Sequence, residues 1–151
     1  MRSFGFVSAE MVLSGPGLSR LFAAVARTRG RAGDRVPSAA EIVEQACAGT
    51  DDITVASLTL FCHLLATGVA NAALTVSALG GVYVAGGIVR RFPQFLIDSG
   101  SRQRFEYLPQ AGPYLQRIET SIVTREWPEL LGAYHLMRDA YRAVAADLVV
   151  T

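Results

Sequence analysis

Apolar and polar positions alternate along the chain with helical spacing over most of its length. Ser8 precedes Glu10 and Met11, a hydroxyl cap followed by an acid in the first turn, and this predicts a helix start. The stretch Ser14-Gly15-Pro16-Gly17 stops that helix, and Pro16, which has no backbone N–H to lose, suits the first turn of the next. Leu18, Leu21, Phe22 and Val25 then recur at the spacing of one helix face. Arg27 to Arg35 reads as a polar, glycine-containing loop. Ser38 with Glu41 spells a capping box for a short helix reaching Cys47. Thr50-Asp51-Asp52 caps a long helix over about Ile53 to Ser77, apolar nearly all round and so expected to be central.

Gly80-Gly81 ends that helix, and Val82 to Ala85 follows as a short apolar strand of the kind found covered in parallel sheets. Gly86-Gly87 is expected to turn directly into a helix from Ile88 to Asp98, with Pro93 near its middle, broken by Ser99-Gly100. Polar helical stretches lie around Arg102–Tyr107 and Tyr114–Arg117, and Thr120 to Thr124 reads as a second strand. Trp127-Pro128 leads into a last helix, about Glu129 to Leu148, with Leu130, Leu131, Tyr134, Leu136, Met137 and Tyr141 as its expected core stripe. The order is that of an α/β layer fold with two strands. Two strands make a weak sheet. A buried strand at Val82–Ala85 wants neighbours on both edges, so further strands are expected from a segment outside these residues. Alone, the chain is expected to show unpaired edges and a large apolar patch.

The 151 residues fit one ordinary domain, without internal repeats. The net charge of +1 creates no single-sign field that would favour nucleic acid. Arg27, Arg29, Arg31 and Arg35 form a basic loop without the interleaved aromatics that single-strand binding uses. The start of the chain lacks the charged and apolar regions of a signal peptide. From Ile53 to Val89 there is no Asp, Glu, Lys or Arg. Polar residues dilute that run and glycine pairs cut it, so a buried helix and a buried strand account for it. A small membrane protein built around it is the alternative. Cys47 and Cys62 read as two small buried hydrophobes in a reducing compartment.

Several blocks carry a resemblance. Leu79-Gly-Gly-Val-Tyr-Val-Ala-Gly-Gly-Ile-Val-Arg-Arg-Phe92 is similar to the GGVxxAGGIVPRF segment of bacterial glucokinases, in the hexokinase–actin superfamily. Val7-Ser-Ala-Glu-Met-Val-Leu-Ser-Gly-Pro-Gly-Leu18 resembles their VSAExxLSGPGL block. Leu60-Phe-Cys-His with Ala70-Asn-Ala-Ala-Leu74, Ser99-Gly100, Arg104-Phe105-Glu106 and Leu130-Leu-Gly-Ala133 follow in the family's order. Phe6, Val69, Ala70, Arg90 and Glu129 depart from the usual pattern.

The resemblance implies a helix-rich α/β fold, a partial ribonuclease-H-like, actin-like ATPase lobe with few strands. It implies a cytoplasmic sugar kinase acting on glucose with ATP, Mg2+ being carried by the nucleotide. Glu10 would accept hydrogen bonds from sugar hydroxyls, work that suits a carboxylate. Gly86 and Gly87 would let the backbone approach adenosine, beside the N-terminus of the helix expected after them. Ser14 and Gly15 would shape the wall near the nucleotide. Each has a plainer reading: a first-turn acid for Glu10, and tight turns for the others.

In the family the catalytic Asp in a DxGGT turn, an Asn-Asp pair and a Gly-Thr-Gly turn lie upstream of the VSAE block. None of the three occurs in these residues. The chain is therefore expected to be a single partial C-terminal glucokinase domain, truncated or split, without the lobe that carries the base. A homodimer or a complementary N-terminal kinase chain are the protein partners left open, and a non-catalytic nucleotide-binding module is the alternative function. Asp51-Asp52 reads as a helix cap rather than a metal pair. His63 reads as a satisfied core histidine, and His135 has no nucleophile beside it.

Overall fold

A computed structural model describes residues 6–33 and 35–147, so the expected end of the last helix at Leu148 lies outside the described residues. Helix α1 is Ala9–Val12, and the Ser8 hydroxyl accepts the Met11 N–H at 3.4 Å. Helix α2, Gly15–Thr28, begins at Ser14, whose hydroxyl accepts the Gly17 N–H at 3.1 Å. A β-carbon at Gly17 would lie 2.4 Å from the Val12 carbonyl oxygen, so only glycine lets the two helices meet at this corner.

Helix α3, Ala39–Ala48, carries both arms of its capping box. The Ser38 hydroxyl accepts the Glu41 N–H at 3.3 Å, and a Glu41 carboxylate oxygen accepts the Ser38 N–H at 2.7 Å. Helix α4, Asp52–Thr75, starts at Asp51, which accepts the Thr54 N–H at 2.8 Å. The basic loop closes on this helix start: Arg29 pairs with Asp52 at 2.6 Å and Arg31 with Asp51 at 3.0 Å. Asp51 and Asp52 thus act as a cap and as ion-pair partners, and the Thr54 N–H lowers the Asp51 pKa.

By length and composition α4 could cross a membrane. Protein meets part of its apolar surface on both halves, while Leu60 is exposed. Ile53, Leu58, Phe61 and Cys62 join Leu18, Leu21 and Phe22 of α2 and Ile42 and Val43 of α3. Ala66, Ala70 and Ala73, on one face at helical spacing, join Phe105, Leu115 and Ile118.

Strand β1 is Val82–Val84 and strand β2 is Thr120–Ile122; they pair in parallel, Val82 opposite Thr120 and Val84 opposite Ile122. The expectation of a strand covered on both faces fails at Tyr83, which is 73% exposed. Val82 and Val84 lean on the helical side, and strand alternation turns Tyr83 to the face that no described element covers. The bonds from Val82 N–H to the Glu119 carbonyl and from Val123 N–H to the Val84 carbonyl place β2 on one edge of β1. Tyr83 therefore directs its N–H and C=O to the other edge, which is unpaired among the described residues.

The single helix expected over Ile88–Asp98 is two elements. A 3-10 turn covers Val89–Arg91, the chain leaves helical geometry at Phe92, and α5, Pro93–Asp98, begins on the proline. A proline ring clashes with the carbonyl four residues back, so it opens a helix rather than sitting inside one. Helices α6, Ser101–Glu106, and α7, Gly112–Leu115, follow. Arg102, paired with Glu106 one turn on in the same helix, fixes α6 to the entrance of β2 by donating to the Ile118 carbonyl at 2.8 Å.

Helix α8, Pro128–Asp147, also departs from expectation. Leu130, Tyr134, Leu136, Met137 and Tyr141 are exposed rather than core. A helical apolar stripe states only that a face can be buried, and no described element lies on this one. Cys47 is likewise exposed, at the end of α3, whereas Cys62 is buried as expected.

Gly17→Ala should lower stability by roughly 1–3 kcal/mol in urea denaturation, because the added methyl meets backbone. Gly15→Ala should change it by less than about 0.5 kcal/mol, since its β-carbon would make an ordinary 3.9 Å contact with the Ala39 methyl. The Arg35 guanidinium, and then the Ser38 N–H, lower the Glu41 pKa to about 2. Folded Glu41 lies below the unfolded carboxylate value of about 4.3, so its contribution is complete above that pH and disappears as pH falls toward 2. The difference in melting temperature between the native chain and Glu41→Gln should shrink steadily across that interval.

Candidate functional site

In open α/β sheets ligands bind beyond the carboxyl ends of the strands. Here two segments leave that end side by side. After β1 come Ala85, Gly86 and Gly87, all exposed. After β2 comes the stretch from Val123 to Trp127.

Gly86 has φ +134, a conformation that L side chains rarely adopt, so its identity follows from the backbone. Gly87 differs. Its φ is not positive, and no atom lies within 4 Å of where its β-carbon would stand. Neither backbone nor packing within the described residues requires glycine at 87. The helix N-terminus expected immediately after the pair is absent: the 3-10 turn intervenes and α5 begins only at Pro93. No helix macrodipole therefore points at the glycine pair, and the Arg90 and Arg91 N–H groups of the turn bond back to the Gly86 and Ile88 carbonyls.

An ion pair joins the two segments. Arg90 Nη1 lies 2.7 Å from Glu126 Oε1, and the Arg90 N–H reaches the Gly86 carbonyl at 3.5 Å. Arg90 stands where the glucokinase pattern has proline, and its pairing with Glu126 was not legible in the sequence. Trp127, in the turn that the sequence predicts with Pro128, has φ +53. Nothing in the sequence signals a left-handed tryptophan.

The other expected site residues sit at the α1–α2 corner. Glu10 is exposed on α1 and takes no partner among the described residues. The Ser14 hydroxyl is occupied as a cap, and Gly15 opens α2. The corner rests on α4, where a β-carbon at Gly68 would stand 3.5 Å from Leu13 Cδ1. Val12 and Leu13 on this side, and Val84, Ile88 and Val89 on the other, pack into one apolar cluster. One core therefore carries both glycine-containing segments.

Two concavities lie elsewhere. One of about 240 Å3, largely apolar, opens beside β2 between α4, α5 and α6, lined among others by Val69, Ile97 and Phe105. A shallower one of about 660 Å3 lies over the α2–α4 corner at Arg29, Asp52 and His63. Neither includes Glu10, Ser14, Gly15, Gly86 or Gly87. His63 Nε2 lies 2.8 Å from the Ser99 carbonyl oxygen, so it is a satisfied histidine. Burial pushes the Cys62 thiol up to about 11, far from a reactive thiolate. No three His, Cys, Asp or Glu side chains converge among the described residues.

The family model described as Glucokinase matches residues 1–140. A glucokinase of Nitrobacter hamburgensis is 40% identical over 130 residues, covering 86% of this chain and 40% of its own length. A glucokinase of Yersinia enterocolitica is 39% identical over 137 residues, covering 91% of this chain and 42% of that protein. The crystal structure of a glucokinase from an Antarctic psychrotroph superposes with a TM-score of 0.79 at 32% identity, over 88% of this chain and 41% of the other. The chain spans about two fifths of the length of these relatives, between 40% and 42%. With the model matched over nearly all of its residues, the chain belongs to the glucokinase family.

Proposed function

We propose that the chain forms the adenosine side, and one sugar contact, of a cytoplasmic kinase that transfers phosphate from ATP to the 6-hydroxyl of glucose. The observation that carries the reading is Gly87: a glycine at the carboxyl end of a parallel strand, in a family of glucose kinases, with nothing in the described chain to require it. A ligand approaching the chain's backbone where a β-carbon would stand would supply that requirement. Gly86 and Gly87 then bound the adenosine, and Ser14 and Gly15 form the neighbouring wall. Glu10, exposed and unpartnered, accepts two sugar hydroxyls in charge-assisted bonds.

Phosphoryl transfer also needs a base for the sugar hydroxyl and donors around the phosphates. In this reading a complementary kinase segment bearing the Asp and the two glycine-rich turns supplies them, as a separate chain or as more of the same one. The residues described are then a single partial domain, its catalytic lobe elsewhere. In this reading Mg2+ travels with the nucleotide. The open edge of β1 at Tyr83 and the uncovered stripe of α8 are surfaces such a segment would meet.

The test is a coupled glucose 6-phosphate assay on the chain mixed with that part of the Nitrobacter hamburgensis glucokinase that has no counterpart here. Turnover should require both components. Glu10→Gln should lower kcat/KM for glucose by roughly ten- to a hundred-fold, the scale of losing hydrogen bonds to a charged group. Gly87→Ala should leave the melting temperature unchanged and weaken nucleotide binding by roughly ten-fold. Nucleotide binding without turnover in the mixture would favour a non-catalytic module, and Gly87→Ala binding as tightly as the native chain would remove the adenosine contact.

A further inference from the structure

Among the described residues other than glycine, two have a positive φ, Ser77 at 52° and Trp127 at 53°. Left-handed backbone is unfavourable for a bulky side chain, and such outliers persist where the surroundings impose them, often at ligand sites. Ser77 lies just beyond α4, on the amino-terminal side of β1. Trp127 lies beyond β2, at the carboxyl end, with its side chain 70% exposed. The indole thus gains neither backbone ease nor burial within the described chain.

Its position is defined by neighbours. Val84 and Ile122 are opposite one another in the sheet, so the segments that follow them emerge together. Glu126, adjacent to Trp127, is held 2.7 Å from Arg90, whose N–H reaches back to the carbonyl of Gly86. The ion pair ties the tryptophan segment to the glycine turn and neutralises charge between them.

We propose that Trp127 is a purine-stacking residue of the nucleotide site. Its indole would lie against one face of the adenine ring while the Gly86–Gly87 backbone bounds the nucleoside from the β1 side. The proposal rests on the adenosine reading of that glycine pair. A purine presents a flat apolar face with polar edges, and an exposed indole next to the ion-paired Glu126 matches that face without needing to read its edges. Arg90 and Glu126 are positioning residues in this account, since they act through the segment that carries the indole.

Trp127 is the one tryptophan of the chain, so its fluorescence reports on the site directly. Titration with ADP should quench the emission, and inorganic triphosphate, which has no base, should leave it unchanged. By calorimetry Trp127→Asn should bind ADP roughly ten-fold more weakly, while Trp127→Phe, which keeps a ring, should stay within about three-fold of the native chain. Asparagine tolerates left-handed backbone, so a melting temperature for Trp127→Asn at or above the native value would show that the loss is local. ADP binding with unchanged emission, and with equal affinity in Trp127→Asn, overturns the stacking role and leaves the adenosine reading standing. Absence of ADP binding by the native chain, alone and with the complementary kinase segment, overturns both.

Discussion

The first half of α4 sends Ile53, Leu58, Phe61 and Cys62 into a face shared with α2 and α3, and its second half sends Ala66, Ala70 and Ala73 toward α6 and α7. Each large apolar side chain in the first group removes enough surface from water to contribute about 1.5–3 kcal/mol. The alanines let the aromatic ring of Phe105 and the side chains of Leu115 and Ile118 approach the helix closely. A helix of this length with no charged residue after Asp52 favours cover by protein, and the elements that cover it are set by its buried positions. Phe92 meets Phe61 edge to face at 6.1 Å, which anchors the segment leaving the glycine pair. Leu13 at Gly68 anchors the α1–α2 corner. Both candidate ligand segments are held by the same helix.

The helix starts were legible because capping is local. Ser8, Ser38 and Asp51 each bond an N–H three residues on, as their spacing announces, and Ser14, read in the sequence only as part of a turn, does the same. What escaped the sequence depends on what else is near. Tyr83 and the α8 stripe have apolar patterns that can be buried, yet whether a face is covered depends on a partner element. The helix expected after Gly86-Gly87 gave way to a 3-10 turn because Pro93 governs where helix can begin. The ion pair of Arg90 with Glu126 spans two separate strand ends and leaves no mark on either one. The left-handed backbone of Trp127 is equally silent in the sequence.

The glycine pair divides into two physical cases that sequence cannot separate. Gly86 answers to backbone conformation, whereas at Gly87 the φ is not positive and no described atom stands within 4 Å of a β-carbon. The free edge of β1 and the uncovered α8 stripe are surfaces left open among the described residues. The family match over two fifths of its relatives' length is consistent with them. Serving as a cap does not exclude Ser14 from a ligand wall, because its hydroxyl keeps a second lone pair.

Amide mapping of ADP binding tests the central claim most directly, by recording the proton–nitrogen spectrum of the labelled chain through a titration. The account predicts that the largest shifts fall on Gly86, Gly87 and the segment from Thr124 to Trp127, with the apolar cavity beside β2 unaffected. Shifts centred on Val69, Ile97 and Phe105 around that cavity, with the glycine pair silent, would contradict it.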